Sequence, residues 1–188
     1  VPDPSQLFLG DRRKGIPGSV VVPTLEGNRP LLVELQVLTA KSFLPSPRRS
    51  AQGIDNGRLS LLLAVLQQRC GLPVHDLDVY ALAVGGVKLS EPGADLGLGL
   101  ATASSITGAA LPPDLVAIGE VGLGGELRQV AHTARRLDEA ARLGFHRAVV
   151  PFSAPEPPAG IEAMRVGTLV DAIDRLGMLA DRAGGPRS

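Results

Sequence analysis

The run at residues 96–103 constrains the fold of this chain most, because it is almost wholly apolar and has no polar face. The segment Glu91-Pro92-Gly93-Ala94-Asp95 lies directly before it. Proline is well tolerated in the first turn of a helix, so the pattern predicts a helix over residues 92–105. A helix that is apolar on all sides must be buried, so this one is expected in the core.

A second buried helix is predicted from Asn56, as its N-cap, to about Arg69. Residues 59–66 are apolar on most sides of that helix, and Gly71 is suited to end it. Helix 133–143 should be amphipathic, with Arg135, Asp138 and Arg142 outward. A last helix is predicted over residues 167–179.

Strands are predicted between these helices. The β-rich runs 19–25 and 30–38 form an antiparallel hairpin around the turn at residues 26–29. Further strands are expected at 78–84, at 115–121 with a hairpin partner at 126–130, and at 147–151. Residues 39–56 are predicted to form a long exposed loop, because they are rich in Pro, Ser, Arg and Gly. The interleaved order indicates an α/β fold with a mixed sheet.

Two kinds of bound group find little support in the sequence. Residues 119–125 are glycine-rich, but no Lys-Ser or Lys-Thr follows them, so the pattern favours a turn over a phosphate-binding loop. His75, His132 and His146 lie far apart, without Cys or carboxylates at ligand spacing, so no metal site is predicted and we expect them at the surface. We expect no cofactor in this chain.

Charge is uneven along a chain whose net charge is zero. Residues 1–60 hold eight Lys or Arg against five Asp or Glu, whereas residues 61–124 hold two against six. Phosphate contact from loops or a helix start is predicted for Arg12, Arg13, Lys14, Arg48, Arg49 and Arg58. A second basic cluster is predicted for Arg135, Arg136, Arg142 and Arg147. Ordinary solvated charges remain an alternative for both groups.

The Pro92-Gly93-Ala94 segment resembles the active-site loop of Lon-type proteases, which begins a buried helix with Pro-Ser-Ala-Gly. In this chain Gly93 stands at the position of the nucleophilic serine. Aligning Arg142 and Gly144 with the family pattern places Arg136 at the position of the lysine base. Arginine keeps its proton in proteins, so it cannot act as a general base. We expect no catalytic dyad here, and Arg136 could instead form a salt bridge with Glu91 or Asp95.

Further motifs resemble the C-terminal Lon-like domain of the RadA (Sms) family of bacterial DNA repair proteins. They are the entry segment 4–9, the Pro47-Arg48-Arg49 loop, residues 56–66 and the stretch 84–87. The resemblance implies a Lon protease fold, like domain 2 of ribosomal protein S5, over residues 19–180. The opening Val-Pro-Asp-Pro predicts a linker over 1–18, which the resemblance would connect to an upstream ATPase. The Gly, Pro and Arg residues at the end predict a disordered tail over 181–188.

The same resemblance implies a function without peptide hydrolysis. The domain would scaffold a hexameric ring and bind duplex and branched DNA, in a cytoplasmic DNA-dependent ATPase that acts with recombinase machinery in homologous recombination and branch migration. ATP, Mg and Zn would be bound by the upstream domains. No membrane association is expected, because no apolar run of 18 residues occurs.

Two other functions stay open from the sequence. One is a serine peptidase with an unrecognised dyad, in which Ser90 would pair with Lys88; Lys14 and Lys41 are the only other lysines. The other is a pure oligomerisation module without DNA contact.

Overall fold

The computed structural model describes residue 5 and residues 9–179, and these form an α/β structure with one large mixed sheet. The predicted fold class is therefore confirmed. The strands are β1 (Ser19–Glu26), β2 (Arg29–Lys41), β3 (Arg49–Gln52), β4 (Leu77–Ala83), β5 (Leu115–Ala117), β6 (Glu120–Val121), β7 (Leu127–Arg128), β8 (Arg147–Pro151) and β9 (Glu162–Val166). The helices are α1 (Asn56–Cys70), α2 (Asp95–Thr107), α3 (Thr133–Arg142) and α4 (Leu169–Arg175), and a short 3-10 turn (Pro92–Ala94) precedes α2.

The seven strands of the main sheet follow the order β3-β4-β2-β1-β5-β8-β9, and β6 and β7 form a separate ribbon. Strand β2 is antiparallel to both of its neighbours, while every other adjacent pair is parallel. All strands of the main sheet except β2 therefore run in one direction. We call the end where these six strands begin the amino end of the sheet, and the end where they finish the carboxyl end.

The two faces of the sheet are covered to different extents. Helices α1, α2 and α4 bury the larger core against one face. On the other face, Leu137 and Ala140 of α3 pack under β1, β5 and β8. Beside α3, Leu38 of β2 and Tyr80 and Leu82 of β4 remain partly exposed. They line a groove of about 630 Å³.

Both buried helices form as the apolar runs predict. Helix α1 starts one residue from the expected cap, because the carboxylate of Asp55, not Asn56, accepts the backbone N–H of Arg58. Gly71 ends it with φ +69°, a conformation that glycine adopts without strain. Helix α2 lies so close to the sheet that a side chain at Gly97 would overlap Val22. The glycines of the apolar run thus permit close packing.

Several predicted boundaries are wrong. Residues 39–56 are not one long loop, since β2 continues to Lys41 and β3 lies within the segment. The strand expected at 115–121 is split, because the backbone of Gly119 bonds to the turn before α2. Strand β9 was missed, and the last helix spans only Leu169–Arg175. Edge strands such as β3 and β9 pair on one side only, so their sequences show no full apolar pattern.

The first described residues pack against the domain. The hydroxyl of Ser5 accepts the backbone N–H of Leu32 at 3.0 Å and donates to the carboxylate of Glu139 at 3.1 Å. The N–H of Gly18 donates to Ser104 Oγ at 2.9 Å. Most of the predicted entry motif, residues 4 and 6–8, and the predicted tail, residues 181–188, lie outside the described residues.

Candidate functional site

The carboxyl end of the sheet holds Gly93, at the predicted position of the missing nucleophile. Gly93 is buried in the 3-10 turn before α2. Its carbonyl accepts the N–H of Gly119 at 3.1 Å, and the carbonyl of Gly119 accepts the N–H of Leu96 at 3.0 Å. The break after β5 therefore fixes this turn and the start of α2.

Arg136 lies next to Gly93 and is almost completely buried, at 1% exposure. Its Nε donates to the carbonyl of Ala131 at 3.0 Å, and its Nη1 donates to that of Pro23 at 3.2 Å. Both terminal nitrogens also bond to the carboxylate of Glu91, with Nη2 at 2.7 Å from Oε2. Of the two predicted salt-bridge partners, Glu91 is the one that Arg136 uses.

The guanidinium group of Arg136 closes the space in which a nucleophilic side chain would lie. A Cβ atom at position 93 would be 2.8 Å from Arg136 Nη1 and 3.3 Å from both Glu91 Oε1 and Val130 Cγ2. The structure thus brings together Gly93 and Arg136, the two positions that the resemblance assigns to the dyad. It fills the site between them with a bidentate ion pair, whose charge-assisted bonds are strong and directional.

A second ion pair ties α1 to the start of α2. Arg58 binds both carboxylate oxygens of Asp95, with Nε at 3.1 Å from Oδ1, and the N–H of Val121 donates to Oδ2 at 3.1 Å. Burial raises the pKa of Asp95, and the bonds from Arg58 and Val121 oppose that rise. The hydrogen bond to Asp95 raises the pKa of Arg58. Arg58, a predicted DNA contact, is therefore engaged within the fold.

Three of the other predicted DNA contacts lie exposed at the amino end of the sheet. Arg13 and Lys14 precede β1, and Arg48 precedes β3. Their side chains form no ion pair with any of the described residues. Arg13 lines the same groove as Ser50 of β3, so the chain before β1 and the start of β3 face each other. The fold thus brings two distant basic segments to one surface.

The two remaining predicted contacts are partly withdrawn from solvent. The side chain of Arg12 is only 8% exposed, lies 3.7 Å from the carboxylate of Glu34 and donates to the carbonyl of Pro113 at 2.6 Å. Burial lowers the pKa of Arg12. Arg49 is half-buried and donates from Nη2 to the carbonyl of Val74 at 3.1 Å.

The second predicted basic cluster does not form. Arg136 is buried at the carboxyl end, and Arg135 donates to the carbonyl of Asn28 in the β1–β2 turn at that same end. Arg142 is paired with Glu139. Arg147 begins β8 at the amino end, where its side chain is 57% exposed and lies 3.4 Å from Asp114. Helix α3 runs between the two ends of the sheet and so separates these arginines.

Other predicted features are placed as follows. Lys88 and Ser90 are exposed on either side of buried Leu89. His75, His132 and His146 are at the surface, as predicted. Within the described part of the chain, no group of three or more His, Cys, Asp or Glu side chains is placed to hold a metal ion. No helix there is long and apolar enough to cross a bilayer.

Known proteins with related sequences identify the family of this chain. No family model matches it. A protein of Pseudomonas aeruginosa named DNA repair protein RadA is 48% identical over 178 residues, which are 94% of this chain and 39% of that protein. The RadA of Halalkalibacterium halodurans is 44% identical over 93% of the chain, again 39% of the relative. The chain belongs to the RadA family of DNA repair proteins.

The RadA match covers only part of each relative. The RadA of Mycobacterium tuberculosis strain H37Rv is 43% identical over 182 residues, 97% of this chain but 38% of its own length. The chain therefore spans about 39% of the curated relatives it matches. The matched segment of each of these relatives corresponds to nearly the whole of this chain.

Proposed function

We propose that this chain is a non-catalytic, Lon-like, duplex-DNA-binding scaffold within a RadA-type DNA repair protein. The observation that carries the non-catalytic part is the burial of Arg136 against Gly93 and Glu91. A permanently protonated side chain occupies the place of the base, and the glycine at position 93 supplies no nucleophilic hydroxyl.

DNA contact is assigned to the amino end of the sheet. The exposed side chains of Arg13, Lys14 and Arg48 support it, because a cation that forms no ion pair with the described residues can bind a phosphate without first breaking such a pair. Arg147, from the second predicted cluster, lies at the same end, where its exposed side chain is paired with Asp114. The names of the relatives, all DNA repair proteins, agree with such a role.

The resemblance to Lon-like domains extends the proposal to the whole protein. The domain would assemble into a hexameric ring, hold upstream RecA-like ATPase modules and work in the cytoplasm with recombinase machinery on branched DNA. ATP and Mg would be bound by the ATPase modules, and Zn by an upstream cysteine motif. Six basic surfaces facing one channel would bind DNA multivalently, which offsets the zero net charge of one copy.

Fluorescence anisotropy of this chain with a labelled 30-base-pair duplex tests the proposal. The logarithm of the association constant should fall linearly with the logarithm of the salt concentration, with a slope of about −0.9 per phosphate contacted. Arg48→Glu should weaken binding and flatten the slope by about 1. Absence of binding at low salt, or binding that high salt leaves unchanged, would contradict it. Hydrolysis of casein by the purified chain would favour a serine peptidase instead.

A pure oligomerisation module is the second candidate, and one observation favours it. Leu38 is 66% exposed, Leu82 39% and Tyr80 38%, all on one uncovered region of the sheet. Contiguous exposed apolar surface is typical of protein contacts. If Arg48→Glu left DNA affinity unchanged while sedimentation showed an intact oligomer, this second function would replace the first.

A further inference from the structure

The loop between β2 and β3, residues 42–48, presents the most exposed large apolar side chain of the described residues. Phe43 is 93% exposed, and its neighbour Leu44 is 44% exposed. The loop follows the last residue of β2 and leads into Arg48 and β3, so it projects from the amino end of the sheet. Such exposure is unfavourable in water unless another molecule covers the side chain.

The loop is held in shape at its base. The N–H of Ser42 donates to the carbonyl of Asp76 at 2.8 Å, and the Ser42 hydroxyl accepts the N–H of Leu44 at 3.2 Å. On the other side, the N–H of Arg48 donates to the carboxylate of Asp78 at 2.7 Å. Pro45 and Pro47 restrict the backbone between these anchors. The tip is therefore preorganised, which reduces the entropy lost when it binds.

The chain segment that carries the tip contains only basic charged residues. Residues 35–54 contain Lys41, Arg48 and Arg49 and no Asp or Glu. Lys41 and Arg48 are both exposed and lie on opposite sides of Phe43 in the sequence. The nearest acidic residues, Asp76 and Asp78, lie at the base of the loop, where the backbone carbonyl of Asp76 accepts the N–H of Ser42 and the carboxylate of Asp78 accepts the N–H of Arg48.

We propose that Phe43, with Leu44 beside it, is a wedge that enters the base stack of DNA while Lys41 and Arg48 hold the flanking phosphates. Proteins that bend or open a duplex insert Phe, Leu or similar side chains between base steps and contact the backbone with cations on either side. This inference rests on the DNA binding proposed above. It adds an apolar contact with bases, and hence a preference for base steps whose stacking is already disrupted.

The size of the tip favours DNA over a protein partner. Two adjacent side chains on a projecting loop are too few for a stable protein interface, which buries on the order of 1,000 Å² or more. A base step offers a slot that such a tip can fill. The apolar groove lies on the sheet face around Leu38, whereas the tip lies beyond the end of the strand that carries Leu38.

The test compares Phe43→Ala with Phe152→Ala, since Phe152 is also exposed, at 66%, but follows β8 at the carboxyl end. The probes are an intact duplex, a duplex with a central gap where a base is missing, and a duplex carrying 2-aminopurine. Phe43→Ala should weaken binding about fivefold or more, because base stacking on aromatic side chains contributes about that much. The unsubstituted chain should prefer the gapped duplex and raise 2-aminopurine fluorescence, because the inserted side chain unstacks the probe base. Phe43→Ala should abolish both effects.

The salt dependence separates the wedge from the phosphate contacts. Phe43→Ala should leave the log–log salt slope unchanged, whereas Arg48→Glu should change it by about 1. Phe152→Ala should behave like the unsubstituted chain. Equal affinity, fluorescence and gap preference for Phe43→Ala and the unsubstituted chain, while Arg48→Glu binds weakly, would overturn the wedge alone. A lower mass of Phe43→Ala in sedimentation, with DNA binding intact, would make the tip a protein contact.

The last outcome concerns DNA binding by the unsubstituted chain. If it bound none of the three duplexes at low salt, both the wedge and the proposed DNA-binding function would be overturned.

Discussion

The two ends of the sheet use the same residue type, arginine, in opposite ways. At the carboxyl end Arg136 is buried, and its three nitrogens donate to Glu91 and to two carbonyls. At the amino end Arg13 and Arg48 are exposed, and their side chains form no ion pair within the described residues. Burial converts an arginine into a structural element, whereas exposure leaves it available to a phosphate.

The difference also appears between neighbours in the sequence. Arg12 and Arg13 are adjacent, yet Arg12 is packed beside Glu34 while Arg13 is exposed. Their local sequence does not distinguish them. The division between stabilising and binding arginines is set by the tertiary structure, and each of the following changes would sharpen or contradict it.

Removing the partner of the buried arginine should have the largest effect on stability. Glu91→Gln leaves the charge of buried Arg136 uncompensated. Breaking a fully buried pair costs about 3–5 kcal/mol, and because the Glu91 side chain is 28% exposed, the loss should lie near the lower end of that range. Urea unfolding followed by circular dichroism should show this loss. A loss below about 1 kcal/mol, the typical value of an exposed pair, would mean that the Arg136–Glu91 pair is accessible to water in solution.

Placing Ser at position 93 and Lys at position 136 should not produce a protease. Gly93→Ser places an atom 2.8 Å from Arg136 Nη1, and overpacking a buried site costs about 1–3 kcal/mol. Gly93→Ser combined with Arg136→Lys should relieve part of that strain, because lysine lacks the planar guanidinium group. Neither variant should hydrolyse a fluorogenic peptide. A more stable Gly93→Ser variant would show that the pocket beside Arg136 is open.

Cys70 provides a smaller, pH-dependent effect in the main core. Burial raises the pKa of its thiol to about 11. The folded state thus holds this proton more tightly than the unfolded state, so stability should fall as pH rises from about 9 to about 11. Melting temperatures of the unsubstituted chain and of Cys70→Ala should diverge in that interval. Parallel curves, or rapid alkylation of Cys70 at pH 8, would contradict its burial.

The sequence was sufficient for features that depend on local pattern. The apolar run at 96–103 predicted helix α2, and of the two salt-bridge partners expected for Arg136, Glu91 and Asp95, Glu91 is the one used. It was insufficient for β3 and β9, because short edge strands carry little apolar pattern. The separation of Arg135 from Arg147 also escaped prediction, since it depends on which end of the sheet each one reaches.

The central claim, that arginines at the two ends have different functions, is tested most directly by paired charge reversal. One variant combines Arg13→Glu, Lys14→Glu and Arg48→Glu; the control is Arg29→Glu, an exposed arginine at the start of β2 and thus at the carboxyl end. The triple variant should bind duplex DNA at least tenfold more weakly, because a cation that no longer meets a phosphate no longer releases a counterion from the DNA. The control should keep its affinity.

Both variants should unfold within about 0.5 kcal/mol of the unsubstituted chain, since all four positions are exposed. If instead Arg29→Glu weakened DNA binding as much as the triple variant, the amino end would not be the DNA surface and the division between the two ends would fail.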